Sequence, residues 1–278
     1  MENIKKGDIV GRKSYNKDIL FIVDRIIKTS NGKAIAMLKG LNIRIQADSY
    51  IDDLELIDKK IIQESERKLD KKFEARLQRY ETQLQNLDGL KRSNKVIYTG
   101  KILHLDGDKR YSEKSNLFYR KIGLKAVVKN VPESRQASVV SNLMDRYKPD
   151  ILVITGHDGM IKSGTGYNDI YNYRNSKYFI NAVKQARENK NIKRDLVIFA
   201  GACQSFYEEL INAGANFASS PARILIDFMD PLIVAERVAT TDYDKYLTIK
   251  DIESELRDGQ RGVNGIGAMG KKKIMTIL

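Results

Sequence analysis

Two side chains that can do covalent chemistry follow glycines at the ends of apolar, strand-like runs. His157 comes directly after "ILVITG", residues 151–156, and Cys203 comes two residues after "LVIFAG", residues 196–201. A thiolate can attack a carbonyl carbon, and an imidazole can take the thiol's proton and return it to a leaving group. The sequence therefore predicts a thiol-dependent hydrolase or transferase, with Cys203 as the nucleophile and His157 as the general acid and base.

The surroundings of Cys203 bear on this prediction. It is the single cysteine of the chain, and a lone cysteine at the end of a strand is also typical of a buried structural residue. Against that alternative, main-chain N–H groups at such turns can hold a developing oxyanion, and a predicted helix at 204–213 would favour the thiolate. We therefore expect the sulfur and the imidazole to share one edge of a sheet, open to water.

The chain alternates between strands and helices from residue 95 onward. Predicted strands lie within 95–105, 124–131, 150–156, 195–201 and 215–220, and predicted helices lie near 112–122, 134–148, 176–189, 204–213 and 221–229. Near-continuous apolar strands separated by amphipathic helices indicate an α/β fold, a parallel sheet covered by helices. Because crossover connections are right-handed, the strands before His157 and Cys203 are predicted to be neighbours.

The rest of the chain differs in character, which divides it into three units. Residues 1–57 contain short β-branched runs with turn signals, which predicts a small N-terminal SH3-like β-barrel. Residues 58–92 predict a charged helical linker, whose apolar stripe is Ile62, Leu69, Phe73, Leu77, Tyr80, Leu84 and Leu87. The stripe on helix 60–88 fits either a connector packed on its neighbour or a dimeric coiled coil. Residues 93–278 are the α/β catalytic domain, and glycine-rich residues 257–273 predict a mobile tail.

Composition limits the partners and cofactors. The 278 residues are 42% hydrophobic and 31% charged, with a formal net charge of +13, which is typical of a globular protein. The basic charge is compatible with nucleic acid as a partner but does not require it. One cysteine and two histidines cannot build a Cys/His zinc cage, so no metal and no other cofactor is expected. No signal peptide and no apolar run of about 18 residues occurs, which predicts a cytoplasmic protein at synthesis without a membrane span.

Two other classes of function compete with the thiol hydrolase. A non-catalytic protein would use the basic barrel and helix to bind nucleic acid or another protein, with the α/β domain as a scaffold. A serine hydrolase would use Ser205, but "GACQS" lacks the G-x-S-x-G elbow of such enzymes.

The order of the two reactive motifs resembles a known clan of cysteine peptidases. A strand that ends in histidine, one crossover, and a strand that ends in a small residue and cysteine is the layout of the caspase-like clan, which includes legumain, clostripain and the gingipains. The resemblance covers roughly residues 95–240. Asp158 stands where glycine is common in the clan, although clostripain-like members also have an acidic residue there. The resemblance implies that the oxyanion donors are main-chain N–H groups, from Asp158 or Gly159 and from Cys203, so the difference need not remove them.

Longer motifs are similar to those of one family. They are "KKGDIVGRKSY", the charged helix, "DILVITGHDG", "GACQSFYEELINAGANFASSPARILIDFMDP" and the glycine-rich tail. Together they resemble the YabG family of sporulation-specific proteases across essentially the whole chain. The resemblance implies a cysteine endopeptidase that processes spore coat and cortex-associated proteins, cleaves after arginine, and acts at the spore coat or forespore surface. The catalytic residues that carry over are His157 and Cys203.

Cleavage after arginine would require a carboxylate in the pocket that binds the arginine side chain, known as S1. The candidates at the predicted edge are Asp106 and Asp108 in "HLDGD", Asp158, and Asp169 in the loop after the histidine. We favour Asp106 or Asp108, because the loop after the first strand should border the cleft, although "DGD" is also typical of an ordinary turn. His104 is expected to be packed or hydrogen-bonded within its strand.

Overall fold

The computed structural model describes residues 4–30, 32–91, 95–161, 166–191 and 195–276, with only the main chain of residues 80–91, 95 and 276. The amino-terminal strands are antiparallel and alternate between buried and more exposed residues, as half-buried strands do. They are β1 (Ile9–Arg12), β2 (Phe21–Lys28), β3 (Ala34–Gly40), β4 (Gln46–Tyr50) and β5 (Leu54–Leu56), in the sheet order β4-β3-β2-β1-β5.

A long helix and an α/β unit follow. The remaining elements are α1 (Lys59–Lys91), β6 (Lys95–Tyr98), β7 (Ile102–Asp106), α2 (Lys109–Lys121), β8 (Ala126–Asn130), α3 (Glu133–Tyr147), β9 (Ile151–Thr155), α4 (Ser176–Glu188), β10 (Val197–Ala200), α5 (Tyr207–Asn212), β11 (Phe217–Ser219), α6 (Asp230–Thr240), β12 (Tyr246–Leu247), α7 (Gly259–Gly262), β13 (Val263–Gly265), β14 (Ala268–Met269) and β15 (Lys273–Thr276). Small two-stranded sheets pair β12 with β14 and β6 with β15.

The central sheet has six strands in the order β8-β7-β9-β10-β11-β13. The first five run parallel, and β13 runs antiparallel to β11. Every residue of β9 and β10 is buried, as expected for parallel strands covered on both faces. The strands that precede His157 and Cys203 are neighbours, as the crossover rule predicts, with Ile154 paired to Ala200.

Helices cover both faces of this sheet. Leu103, Leu152 and Ile198 point to the face on which α3 and α4 pack, while Ile102, Val153 and Phe199 point to the face of α2 and α6. This alternation along each strand divides the apolar core into two layers. The carboxyl ends of the parallel strands are therefore held on a rigid, two-sided core.

The long helix α1 packs on its own chain. Leu69, Phe73 and Leu77 are buried in the α2 and α6 layer, where the ring of Phe73 lies 5.9 Å from that of Phe118. The burial of this part of the stripe supports the interpretation of α1 as a connector packed on its own chain rather than as half of a dimeric coiled coil. Tyr80, Leu84 and Leu87 lie outside the described side chains. No helix of the described ranges, α1 included, is both long enough and apolar enough to cross a membrane.

Three predictions of secondary structure were wrong. The predicted strand at 95–105 is two strands, β6 and β7. The helix predicted at 221–229 instead begins at Asp230, with Pro231 in its first turn, and residue 223 is left-handed (φ 56°). The tail at 257–273 is ordered, because β13 adds an edge to the central sheet. Gly265 allows that close approach, since a Cβ there would lie 2.0 Å from the Asn216 carbonyl oxygen.

Candidate active site

The two reactive residues lie just beyond the ends of β9 and β10. Gly156 separates β9 from His157, while Gly201 and Ala202 separate β10 from Cys203. The hydroxyl of Thr155 donates to the carbonyl of Gly201 at 2.8 Å, which ties the two turns together. Gly201 has φ 105°, and a Cβ there would lie 2.5 Å from Ser219 Oγ, so the turn before the cysteine needs glycine.

A segment of the amino-terminal sheet lies across this edge. Residues 41–46, which connect β3 to β4 and include the first residue of β4, form what we call the cleft segment. Ile43 forms an antiparallel bridge with Asp227 on one side, and Ile45 forms a parallel bridge with Asp158 on the other. The main chain of the cleft segment is thus held by one bridge on each side, a placement similar to that of a peptide bound by strand addition.

The carbonyl of Arg44 lies beside two of the N–H groups that the sequence predicts as oxyanion donors. It accepts hydrogen bonds from the N–H groups of Asp158 at 3.2 Å and of Cys203 at 3.3 Å. Two of the three predicted oxyanion donors therefore converge on one oxygen. The third, the N–H of Gly159, donates to the carboxylate of Asp158 at 2.8 Å.

The side chain of Arg44 fills a buried pocket beneath this carbonyl. It is fully buried, with Nη1 2.9 Å from Asp106 Oδ2 and its guanidinium 4.6 Å from the centroid of the Tyr111 ring. Burial alone would raise the pKa of Asp106, but the charge of Arg44, the interactions with His104 and the hydrogen bond from the N–H of Asp108 together outweigh it, and the pKa lies at about 2. The pocket therefore holds a carboxylate that stays ionised and is matched to a guanidinium.

The other acidic candidates have different surroundings. Asp108 caps α2 by accepting from the N–H of Tyr111 at 3.1 Å, and its Oδ2 lies 3.9 Å from His157 Nδ1. Asp169 caps the short turn of residues 170–172 by accepting from the N–H of Tyr171 at 2.9 Å. His104 is packed in its strand, as expected, 3.1 Å from the hydroxyl of Tyr119 and 3.5 Å from Asp106 Oδ2.

The sulfur of Cys203 is not open to water, contrary to the prediction. Cys203 is fully buried in a cluster with Ile45 and Ile226, and its Sγ accepts from the N–H of Ile226 at 3.2 Å. Burial raises the pKa of the thiol to about 12. The predicted helix at 204–213 begins only at Tyr207 and has six residues, so it does not start at the thiol and gives no thiolate stabilisation there.

His157 is also buried and is held from two sides. Its Nε2 lies 3.3 Å from the carbonyl oxygen of Gly40, and its ring lies 5.5 Å from that of Tyr111. The main-chain N–H of His157 donates to the carboxylate of Glu133 at 2.8 Å, which fixes the main chain of the turn. Burial lowers the pKa of the imidazole, so with the cleft segment in place both reactive groups are uncharged at neutral pH.

The carboxylate of Asp158 joins the two reactive turns. It accepts from the N–H groups of Gly159 and Asn175 and from the hydroxyls of Ser176 and Ser205. Burial raises its pKa to about 6 despite these donors. Because Ser205 also accepts from the N–H of Ala202 at 2.9 Å, its buried hydroxyl is a structural link beside the cysteine.

The sequence did not predict Arg44, Tyr111 or Glu133 as parts of the site. Tyr111 and Glu133 lie in helices whose patterns indicate packing alone. Arg44 had a weak signal, a charged residue between Ile43 and Ile45 in the apolar run "LNIRI", where a surface loop would be more polar. Among the described side chains no group of three histidines, cysteines or acidic residues is placed to hold a metal ion.

Asp230, which lies beside Asp227 on one side of the cleft segment, should make the free energy of unfolding depend on pH. The carboxylate of Asp230 is buried and accepts from the N–H groups of Asp227 and Arg257. Burial, with the nearby charge of Asp227, raises its pKa from 3.8 to about 7. The folded protein therefore keeps a proton that the unfolded chain has lost, so this stability is full below pH 3.8 and is lost as the pH rises to about 7.

Replacing Asp230 by asparagine is expected to remove this loss, which is at most about 4 kcal/mol. The free energy of unfolding, measured by urea denaturation at a series of pH values, should fall less steeply between pH 4 and 7 in Asp230→Asn than in the wild type. The exposed Asp52 offers a control, since Asp52→Asn should keep the wild-type slope. Equal slopes in Asp230→Asn and the wild type would contradict the expectation.

Comparisons with known proteins agree over nearly the whole chain. Residues 5–276 match the sequence profile described as YabG peptidase U57. The chain is also 38% identical to the sporulation-specific protease YabG of Bacillus subtilis (strain 168), over 96% of this chain and 96% of that protein. No solved structure matches the chain.

Proposed function

We propose that this chain, which belongs to the YabG peptidase U57 family and is a protease, is a cysteine endopeptidase that cleaves after arginine. The observation that carries the proposal is the placement of Arg44. Its carbonyl oxygen accepts from two N–H groups at the strand ends while its guanidinium pairs with Asp106. One arginine thus occupies both an oxyanion site and a cation pocket, as the residue before a scissile bond would.

The chemistry of the proposed reaction needs few groups. Cys203 Sγ attacks the carbonyl carbon, and His157 takes the thiol proton and gives it to the leaving amine. The N–H groups of Asp158 and Cys203 hold the negative oxygen in the tetrahedral intermediate. Water then hydrolyses the thioester and restores the thiol.

The pKa shifts support a closed resting state. The pKa of Cys203 is raised and that of His157 is lowered, both by burial, and the cleft segment contributes to that burial. When the segment leaves, water reaches both groups. Removing the desolvation penalty lowers the pKa of the thiol and raises that of the imidazole, which favours the reactive pair.

We further propose the finer architecture that the family resemblance implies. The order of strands around His157 and Cys203 supports a caspase-like layout for residues 93–278. The five antiparallel strands of residues 1–57 support an SH3-like barrel, with residues 58–92 as the connecting helix. These three units are proposed as the domains of the chain.

The physiological substrates are proposed from the relative. Because the Bacillus subtilis protein is named a sporulation-specific protease, we infer that this chain acts during sporulation. The family resemblance implies spore coat and cortex-associated proteins as substrates, at the coat or forespore surface. Arginine-rich segments of such proteins would suit the Asp106 pocket.

A covalent trap tests the cysteine type and the arginine preference together. A peptidyl chloromethyl ketone with arginine before the ketone is compared with the same compound carrying citrulline, which has similar shape but no charge. We expect the arginyl compound to add to Cys203, as mapped by peptide mass spectrometry, and the citrullyl compound to react much more slowly. An adduct on another residue, no adduct, or equal rates for the two compounds would contradict the proposal.

A further inference from the structure

The occupant of the proposed arginine pocket belongs to the chain itself. The cleft segment is the connection between β3 and β4, so its two ends are fixed by the pairing of those strands. Its main chain is held on both sides by the bridges of Ile43 and Ile45. No external peptide can take the same place while this segment remains, because each wall offers one set of main-chain partners.

The reacting groups surround one particular peptide bond. The carbonyl of Arg44 lies against the N–H of Cys203, and Ile45, the next residue, lies in the same apolar cluster as the cysteine. His157 Nε2 lies 3.3 Å from the carbonyl oxygen of Gly40, at the end of the strand that leads into the segment. The bond between Arg44 and Ile45 therefore has the donors, the pocket and the thiol of the proposed reaction around it.

From this arrangement, and resting on the proposed function, we propose that the Arg44–Ile45 bond is a self-processing site: the protease cleaves its own cleft segment in cis and thereby opens its cleft. The reaction is a hydrolysis that needs only water. A bond forms between Cys203 Sγ and the Arg44 carbonyl carbon as the bond to the Ile45 nitrogen breaks, and that nitrogen receives the thiol proton through His157. Water then releases the Arg44 carboxylate and restores the thiol.

The contacts of the Arg44 side chain favour release of the segment once it is cut. Its Nε and both Nη atoms are buried, and none makes a well-aligned hydrogen bond to the described residues, although Nη1 lies 2.9 Å from Asp106 Oδ2. A buried guanidinium that is incompletely hydrogen-bonded costs free energy. After cleavage, a new carboxylate would replace the neutral carbonyl, and the two short ends are free to move into water.

The amino-terminal sheet should survive the cut. β3 pairs with β2 and with β4 along their lengths, so residues 1–44 and 45–278 remain joined by strand pairing after the bond is broken. The cleaved protein should therefore migrate as one species on a native gel or a sizing column. Denaturation should separate it into two fragments.

The test compares the chain termini of purified variants. In the wild type we expect a new amino terminus at Ile45, found by intact mass and by amino-terminal sequencing, and Cys203→Ala should stay uncut. Arg44→Met, which keeps much of the side-chain volume, should lack the new terminus and, because its uncut segment still fills the cleft through the bridges of Ile43 and Ile45, should hydrolyse an added arginyl peptide much more slowly than the wild type. Hydrolysis by this uncut variant at the wild-type rate would contradict opening by cleavage. Arg25→Met, at an exposed arginine of β2, is the matched control and should be cut at Ile45 as the wild type is.

Folding and mechanism are controlled separately. Thermal melts check that Arg44→Met is folded, and Arg44→Lys, which keeps the charge but not the planar fork, should be cut more slowly than the wild type. Mixing active wild type with tagged Cys203→Ala should leave the tagged chain intact, because its bond is buried in its own cleft. Cleavage of that chain at Ile45 would overturn processing in cis.

The outcomes separate this inference from the proposed function. If the wild type hydrolyses an arginyl peptide but never gains a terminus at Ile45, the self-processing site is wrong while the cysteine peptidase stands. If Cys203→Ala itself gains that terminus, the nucleophile assigned under the proposed function is wrong as well.

Discussion

Cys203→Ala is expected to lower kcat for an arginyl peptide by about 10⁴-fold or more, since removing a nucleophile leaves only binding and oxyanion stabilisation. The variant should still fold. The lost contacts are the hydrogen bond from the N–H of Ile226 at 3.2 Å, the weak one that the thiol donates to the Ile226 carbonyl at 3.7 Å, and the packing of one sulfur. The free energy of unfolding should therefore fall by only about 1–2 kcal/mol. Hydrolysis of a fluorogenic peptide and urea denaturation measure the two effects.

Ser205→Ala is the matched control for this experiment. Ser205 lies two residues further on, is equally buried, and links the N–H of Ala202 to the carboxylate of Asp158. Its loss should loosen the turn and reduce kcat by about 10- to 100-fold, an effect on positioning. If Ser205→Ala abolished hydrolysis while Cys203→Ala retained it, the chain would be a serine hydrolase and the proposed mechanism would fail.

The central sheet could be predicted because local patterns determine it. The runs that became β9 and β10 are apolar at nearly every position, and such strands are stable when they lie between two layers of helices. Neighbouring strands then follow from the handedness of the crossovers. The helix at 230–240 and the ordered tail were missed because their structure depends on partners far along the chain, such as β11 for β13.

The sequence predicted which residues lie at the candidate site better than it predicted their exposure to solvent. Residue types and glycine positions placed His157, Cys203, Asp106 and Asp158 at one edge of the sheet, where the structure also has them. Burial of the thiol could not be predicted, because the cover comes from the cleft segment, more than 100 residues earlier in the chain. Contacts between segments so far apart in the chain produce no periodic pattern of apolar residues from which a single sequence could predict them.

Asp106→Asn should reduce kcat/KM for an arginyl peptide by about 10²- to 10³-fold, because the bound guanidinium would lose its buried counter-charge. Asp106 is fully buried, lies 2.9 Å from the Arg44 guanidinium and is ionised, with its pKa at about 2. Asparagine has nearly the same shape, so pocket volume changes little. A citrullyl peptide, which carries no charge, should be cleaved almost as fast by the variant as by the wild type, so the ratio of the two substrates reports the charge alone.

The same measurement on Asp108→Asn and Asp169→Asn distinguishes the three acidic candidates. Asp108 caps α2 and lies near the imidazole, so its replacement should slow both peptides together and leave their ratio unchanged. Asp169 caps a separate short turn, and Asp169→Asn should change neither rate appreciably. If the ratio collapsed in Asp108→Asn or Asp169→Asn but not in Asp106→Asn, the pocket that Arg44 fills would not be the one that selects substrates. Arg44 would then lie in the cleft as a structural residue, because the strongest link between its position and substrate binding is the charge of Asp106.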